Sequence, residues 1–422
     1  TAQIPIEAGK PVAVYAPAAE VARRRAGDGK HMCIPARHFG LDWLRICAFI
    51  LLIFYHIGMV FAPGDWLIKS DRIVPGAAWV MMAIQPWRMP LLFAVSGYAS
   101  AALLARTDGI PAFLKSRTIR LLLPLAFGMV IIVPPQFWVR MQESGSYSRD
   151  ILTFWATHWM AFKPFHGTYM PEAEHLWFIA YLWTYTVALC GMVLFLPAPV
   201  RQRARAALHW CAADHRLLWA PLVPWLALRV ILLFTVPEKH GLLHDWASDL
   251  SYFPVFLFGF ALARHGELWP ALRRCAKGAA VAGLLSGIVI VCIEIVTPDG
   301  LVHRGHALQA LQRDMTLVMA WSMLLFLIGA ADRWLNKDHP WRAGLSEAAF
   351  PFYIVHQTII VLACWWLKPL GFTNAGLFAA LAFATFTGCW LFTELAKRSG
   401  PLRLMFGLNP PRRAGARAQS AG

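Results

Sequence analysis

Charge is what this sequence has least of. Only 15% of its 422 residues are Asp, Glu, Lys or Arg, against about 25% in an average soluble domain. A chain this poor in charge cannot cover a water-facing surface of its own size, which excludes an ordinary soluble protein. The eight cysteines form no C-x-x-C pair, which excludes a disulfide framework read from spacing. Cys47, Cys190, Cys292, Cys364 and Cys389 all fall inside apolar runs, where a small buried hydrophobe is the expected role. The His and acidic residues are scattered without ligand spacing, so no metal site is expected. No solenoid period and no inverted repeat is evident, and no stretch is long enough to fold alone as a second soluble domain.

What the sequence has instead is apolar length. Hydrophobic residues make up 58% of it, and twenty are Trp, a residue that gathers where a bilayer meets water. A helix needs about 20 apolar residues to cross the hydrocarbon. By that measure residues 42–62, 86–105, 119–138, 176–196, 217–236, 250–264, 278–297, 314–331, 348–368 and 375–395 are candidate spans. The run 250–264 is short, and Pro90 is expected to break 86–105. The aromatic segment 150–165, interrupted by His158 and Lys163, reads as an interfacial or re-entrant piece. These features predict an all-α integral membrane protein of about ten transmembrane helices.

The net charge of +16 does not imply a nucleic-acid partner, because the cations sit in short clusters between apolar runs. With the N-terminus placed inside, 27 of the 39 Lys and Arg fall in inner segments and 10 in outer ones, Arg88 counted among the latter. That asymmetry predicts both termini cytoplasmic, as an even number of spans requires. The expected organisation is a disordered basic tail over 1–40, a transmembrane domain over 41–396 and a second basic tail over 397–422. The first apolar run is too long, and lacks a small-residue cleavage site, for a signal peptide.

Ionisable groups inside spans are costly and are functional candidates by default. Arg45 and His56 are eleven residues apart, close to three full turns, so both lie on one helical face about 16 Å apart along the axis. Arg117 and Arg120, three apart, are neighbours at the mouth of the third span. The bland reading of that pair is a positive-inside anchor; the functional one is a guanidinium clamp for an anion such as phosphate. Arg88 precedes the run Phe93 to Tyr98, in which Ser96-Gly97 reads equally well as a small-residue packing site. Glu172, Glu174 and His175 stand at the outer end of the fourth span, and Tyr353 to His356 lie within the ninth. Arg229 is a further charge in a span, with Glu294 or Glu394 as candidate partners.

Together these residues resemble the acyltransferase-3 superfamily of integral membrane acyltransferases. The matching features are Arg45 with His56 eleven residues on, Arg117-x-x-Arg120, Phe93-x-x-Ser96-Gly97-Tyr98 and Tyr353-x-x-His356, in that order, over about 42–395. Within the group, Arg88 to Phe93, His175 to Phe178 and Tyr353 to Gln357 are most similar to a branch associated with succinylation of osmoregulated periplasmic glucans. The resemblance implies an O-acyltransferase of the bacterial inner membrane, with acyl-CoA as cytoplasmic donor substrate, no bound cofactor, and a hydroxyl of a periplasmic glucan or other envelope glycan as acceptor. It implies His56 and Arg45 as catalytic, with His56 as general base, and Arg117 and Arg120 as acyl-CoA-binding. Arg88, Ser96, Glu174, His175, Tyr353 and His356 are then acceptor-side or supporting residues. The competing readings are a transporter of an anionic or lipid-linked envelope solute, which explains the buried charges but not the ordered Arg motifs, and a structural subunit of an envelope complex.

Overall fold

Each apolar run is wound into helix, because without water every backbone N–H and C=O must find its partner within its own segment. The computed structural model describes residues 37–235, 246–297 and 305–408. Of the expected tails over 1–40 and 397–422, residues 1–36 and 409–422 lie outside the described residues, as does the side chain of Arg229. In chain order the helices are α1 (Phe39–Phe61), α2 (Ala77–Leu104), α3 (Ile110–Phe127), α4 (Pro134–Glu143), α5 (Ile151–Thr157), α6 (Trp177–Phe195), α7 (Ala198–Ala212), α8 (Arg216–Trp219), α9 (Leu222–Thr235), α10 (Trp246–Arg264), α11 (Leu268–Val296), α12 (His306–Ala330), α13 (Pro340–Leu367), α14 (Asn374–Lys397) and α15 (Gly400–Met405). The strands found among the described residues are two-residue pieces, β1 (Pro164–Phe165) and β2 (Thr168–Tyr169), paired antiparallel.

Among the described residues seven helical stretches are long and apolar enough to cross a membrane: Phe39–Phe61, Ile110–Glu143, Glu174–Phe195, Leu268–Val296, His306–Leu335, Pro340–Leu370 and Asn374–Lys397. The chain is thus a multi-pass membrane protein. The run expected to break at Pro90 does not: α2 continues for 28 residues through Pro86 and Pro90, as tightly surrounded membrane helices can. Its apolar character is diluted by Gln85, Pro86, Arg88 and Pro90. The run 217–236 is divided into α8 and α9, and 150–165 holds only α5, a 3₁₀ turn and β1.

The third span shows how sequence sets local structure. Val133 N–H bonds the carbonyl of Gly128, five residues back, and makes a π-helical turn over Gly128–Ile132. Pro134 and Pro135 have no N–H to offer, and Gln136 N–H turns to Val133. The carbonyls of Met129, Val130 and Ile132 therefore lose their helical partners. Trp159 Nε1 donates to Met129 at 2.8 Å, Trp155 Nε1 to Val130 at 2.8 Å and the Thr358 hydroxyl to Ile132 at 2.7 Å. The bulged helix is in this way tied to the 150–165 segment on one side and to α13 on the other.

α1 and α13 run parallel in a constant register. Asp42 accepts from Arg342 Nη1 at 2.7 Å, Arg45 donates to the Ser346 carbonyl at 3.2 Å, and His56 meets His356 at 3.0 Å. At the end where α1 starts, His38 caps it by accepting from Leu41 N–H and reaches Asp332 at 3.1 Å. At the opposite end Lys69 Nζ donates to the carbonyls of Met59 and Ala62 at 2.7 and 2.6 Å, which satisfies orphan groups of the last turn. Lys368 there bridges Asp71 and Glu143 at 3.1 and 2.9 Å. Beyond the transmembrane residues, α15 folds back so that Arg403 pairs with Glu347 at 3.1 Å.

α2 and α10 touch backbone to backbone. A Cβ on Gly97 would stand 1.9 Å from the Phe256 carbonyl oxygen, and one on Gly259 would stand 1.8 Å from that of Ala94. Each glycine thus serves the other helix's approach. We expect Gly97→Ala and Gly259→Ala each to lower the melting temperature in detergent by several degrees, since the helices must separate, at a cost of about 1–3 kcal/mol. Gly191→Ala, where nothing lies within 4 Å, should leave it unchanged. The exterior carries Phe195, Val296, Phe383 and Leu284 at 65% to 80% exposure, an apolar face suited to lipid.

Candidate active site

Among the described residues, the candidate ionisable side chains on α1, α2, α3 and α13 and at the entry to α6 fall into two groups, one at each end. At the end where α1 starts, Arg45 from α1 and Arg117 and Arg120 from α3 converge. Arg45 and Arg117 both lie within electrostatic reach of Arg120. Arg45 is held by the Ser346 carbonyl and hydroxyl, and Arg117 Nη2 donates to the Ser100 hydroxyl at 2.9 Å. The Nε groups of Arg45 and Arg117 are buried without a hydrogen-bond partner, while Arg120 is exposed. Three like charges are thus assembled beside one another, with N–H groups to spare. Nearby acids are taken: Asp42 accepts from Arg37 and Arg342.

The second group lines a cavity of about 190 Å³ towards the other end, walled by Leu52, His56, Trp66, Arg88, Met89, Glu174, His175, Trp177, Tyr353 and Gln357. The chain enters α6 through a 3₁₀ turn that starts at Glu174, whose φ of +44° is unusual for a residue with a side chain. Such strain persists where the surroundings over-determine it, and here they do. His175 Nε2 bonds the Ile354 carbonyl at 3.0 Å, and the Tyr353 hydroxyl donates to the His175 carbonyl. Glu174 has Gln357 as a hydrogen-bond partner. Gln357 Nε2 donates in turn to Gln136 Oε1 at 2.9 Å, and Gln136 Nε2 to the Thr358 hydroxyl at 2.6 Å. A polar chain therefore runs from the cavity wall to the π-helical turn, each member satisfied by the next.

His56, in the wall of this cavity, is paired with His356 behind it. His56 Nδ1 lies 3.0 Å from His356 Nε2, and His356 Nδ1 lies 2.8 Å from the Tyr353 carbonyl. His356 is fully buried, whereas His56 keeps an edge open to the cavity. The indole of Trp66 stacks at 6.2 Å from the His56 ring. Arg88 is 7% exposed, with its guanidinium carbon 3.6 Å from the centre of the Tyr55 ring. Its Nε and Nη1 are buried and have no hydrogen-bond partner. An imidazole, a cation with unused donors and a carboxyl group thus face one small space. That set can take a proton from a hydroxyl and steady an oxyanion.

The structure brings His56, Arg88, Glu174, His175, Tyr353 and His356 together, although they come from four parts of the chain. It separates Arg45 from them, by about 16 Å of α1; the cation beside His56 is Arg88. Ser96 lies outside the cavity lining, where its carbonyl accepts from the Ser100 hydroxyl at 2.8 Å, and Gly97 beside it makes the α2–α10 contact. Glu394 pairs with Lys397 at 2.8 Å. Sequence reading passed over Gln136, Thr358 and Trp66, and gave no role to Tyr55 or to Gln357, the last residue of the Tyr353 to Gln357 match. The signal for Gln136 was present as an uncharged polar residue behind two prolines in an apolar run. Among the described residues no group of three His, Cys, Asp or Glu is arranged to hold a metal.

Comparison with known proteins adds three findings. The family model described as an acyltransferase domain matches residues 38–394. The chain is similar to glucans biosynthesis protein C of Salmonella heidelberg (strain SL476), of Salmonella typhi and of Salmonella typhimurium. Each is 23% identical over 398 residues, covering 91% of this chain and 98% of the relative. No solved structure matches.

Proposed function

The chain belongs to the acyltransferase-3 family and is an enzyme that transfers acyl groups, and from that premise we propose that it moves an acyl group from acyl-CoA to a hydroxyl of a periplasmic glucan or other envelope glycan. The acyl group in this reading is succinyl or acetyl, the membrane is the bacterial inner membrane, and both termini are cytoplasmic. The observation that carries it is the pairing of His56 with His356 beside Arg88, in a cavity that lies towards the end of the bundle opposite the Arg45–Arg117–Arg120 cluster. That arrangement supports a donor whose phosphates rest on the arginines and whose thioester extends towards His56.

The step follows from the residues. The glycan hydroxyl oxygen attacks the thioester carbonyl carbon and gives its proton to His56 Nε2. The carbonyl oxygen becomes an oxyanion, steadied by the unused N–H groups of Arg88. When the C–O double bond re-forms, the C–S bond breaks and the thiolate takes the proton back from His56. Ester and free thiol are the products, and no oxidant or further reactant is needed. Glu174 and His175, on the cavity wall, serve to bind the acceptor.

Donor binding tests the reading at its first step. With protein purified in detergent, CoA, acetyl-CoA and succinyl-CoA are expected to bind in the micromolar range. Arg117→Ala and Arg120→Ala should each weaken binding at least tenfold, with a steeper loss for Arg117, whose side chain is the more deeply buried of the two. If no CoA species binds the wild type, the acyl-CoA donor is wrong, and transport of an anionic solute through the same charges becomes the leading account.

A further inference from the structure

The hydrogen-bond pattern around His356 fixes which nitrogen of His56 carries the proton. A backbone carbonyl can only accept, so the 2.8 Å contact between His356 Nδ1 and the Tyr353 carbonyl requires a hydrogen on that Nδ1. In a neutral imidazole the other nitrogen is then a lone pair. His356 Nε2 is therefore an acceptor, and its 3.0 Å contact with His56 Nδ1 requires the hydrogen to lie on His56. The Leu52 carbonyl, one turn earlier on α1, is a further partner of the His56 ring. A histidine reaches the carbonyl one turn back through the nitrogen nearer its own backbone, which is again Nδ1. Both constraints leave His56 Nε2 unprotonated, on the ring edge open to the cavity.

From this geometry we infer that His356 is the positioning residue of the proposed reaction: it holds His56 in the one tautomer whose Nε2 can take the proton of an acceptor hydroxyl. The inference rests on the proposed role of His56 as base. His356 touches no substrate, because it is fully buried and both its nitrogens are engaged. Its effect is to orient. Orienting partners of catalytic histidines are usually carboxylates; an uncharged imidazole backed by a carbonyl does the same work in a low-dielectric interior without placing an anion there. The arrangement also survives proton uptake, since the His56 cation keeps its Nδ1–H bond to His356 while Nε2–H forms.

His175 obeys the same logic and shows that the cavity is built from oriented imidazoles. Its Nε2 faces the Ile354 carbonyl and must carry the hydrogen, which leaves Nδ1 a lone pair that is buried without a partner. The His175 and His356 rings stand edge to face at 5.2 Å. Neither ring offers a hydrogen to His56.

Two readouts test this independently of each other. Nitrogen-15 spectra of histidine-labelled protein, assigned by comparison with His56→Ala, report the tautomer directly and need no activity. His56 should show protonated Nδ1 and bare Nε2. In His356→Leu, which removes the acceptor, this preference should be lost and turnover should fall roughly 10²-fold or more, with KM for donor and acceptor within twofold of wild type. His356→Gln offers an amide oxygen to the same N–H and should recover at least a tenth of the wild-type turnover, at a melting temperature no higher than that of His356→Leu. A wild-type His56 protonated at Nε2 overturns the inference, and so does a Gln variant as slow as the Leu variant. A wild type that transfers no acyl group with the expected tautomer present would sink the reaction and leave the orientation standing.

Discussion

His56→Ala is expected to abolish acyl transfer while leaving donor binding intact. The loss in turnover should be about 10²–10⁴-fold, the range that a positioned general base contributes. The fold should not suffer, because His56 keeps an edge open to the cavity and removing it leaves His356 with an empty acceptor rather than an orphaned donor. An unmet acceptor is the milder defect beside a cavity large enough for water. The affinity for CoA should stay within twofold, since the Arg45–Arg117–Arg120 cluster lies about 16 Å away along α1. The measurement is a pair of assays on one preparation, CoA binding and transfer to a glucan acceptor. A variant that loses both together would mean that His56 holds the donor, and the base would have to be sought among Glu174 and His175. A variant that keeps transfer would remove the cavity from the chemistry altogether.

The separation of these two effects reflects how much of the molecule is readable from its sequence. The apolar runs are helices because only helices satisfy their own backbone in lipid, and seven of the helical stretches among the described residues are long and apolar enough to span, while the run 217–236 is divided in two. The eleven-residue spacing of Arg45 and His56 is legible too, since 100° per residue brings both to one face, and that face packs against α13. What spacing cannot supply is the partner, three hundred residues away, on a helix running in the same direction. His356 was readable as a buried polar group in need of company, but its company is a tertiary fact. Arg88 was legible as an acceptor-side or supporting residue but not as the cation beside His56. Counting charges assigns it to an outer segment and Pro90 looks like a helix break, while the surroundings that carry α2 through Pro86 and Pro90 are invisible in one strand of sequence. The kink-prone region at 128–136 hides likewise: its two prolines announce broken hydrogen bonds, while the Trp and Thr side chains that repair them come from elsewhere.

Arg88 yields the sharpest expectation, because its effects on activity and stability should have opposite signs. A guanidinium that is 7% exposed, with Nε and Nη1 unpartnered, is a cation withdrawn from water without an acid to meet it. The Tyr55 ring at 3.6 Å offsets part of that cost, roughly 0.5–2 kcal/mol, and the remainder weakens the folded state. Such a group is retained where charge develops during the reaction, and the oxyanion of the proposed step is that charge. Arg88→Met keeps the stem and the packing on Tyr55 and removes the cation. Turnover should fall about 10²–10³-fold, the scale for losing an oxyanion donor, while the melting temperature in detergent should equal or exceed that of the wild type. Arg88→Lys restores charge but not the planar set of N–H groups, so it should regain little of the lost turnover. A thermally weakened Met variant would show that Arg88 braces α2 against α1 instead of serving the reaction. Full activity in the Lys variant would mean that charge alone suffices, and that the orientation of the guanidinium over Tyr55 has no part in catalysis.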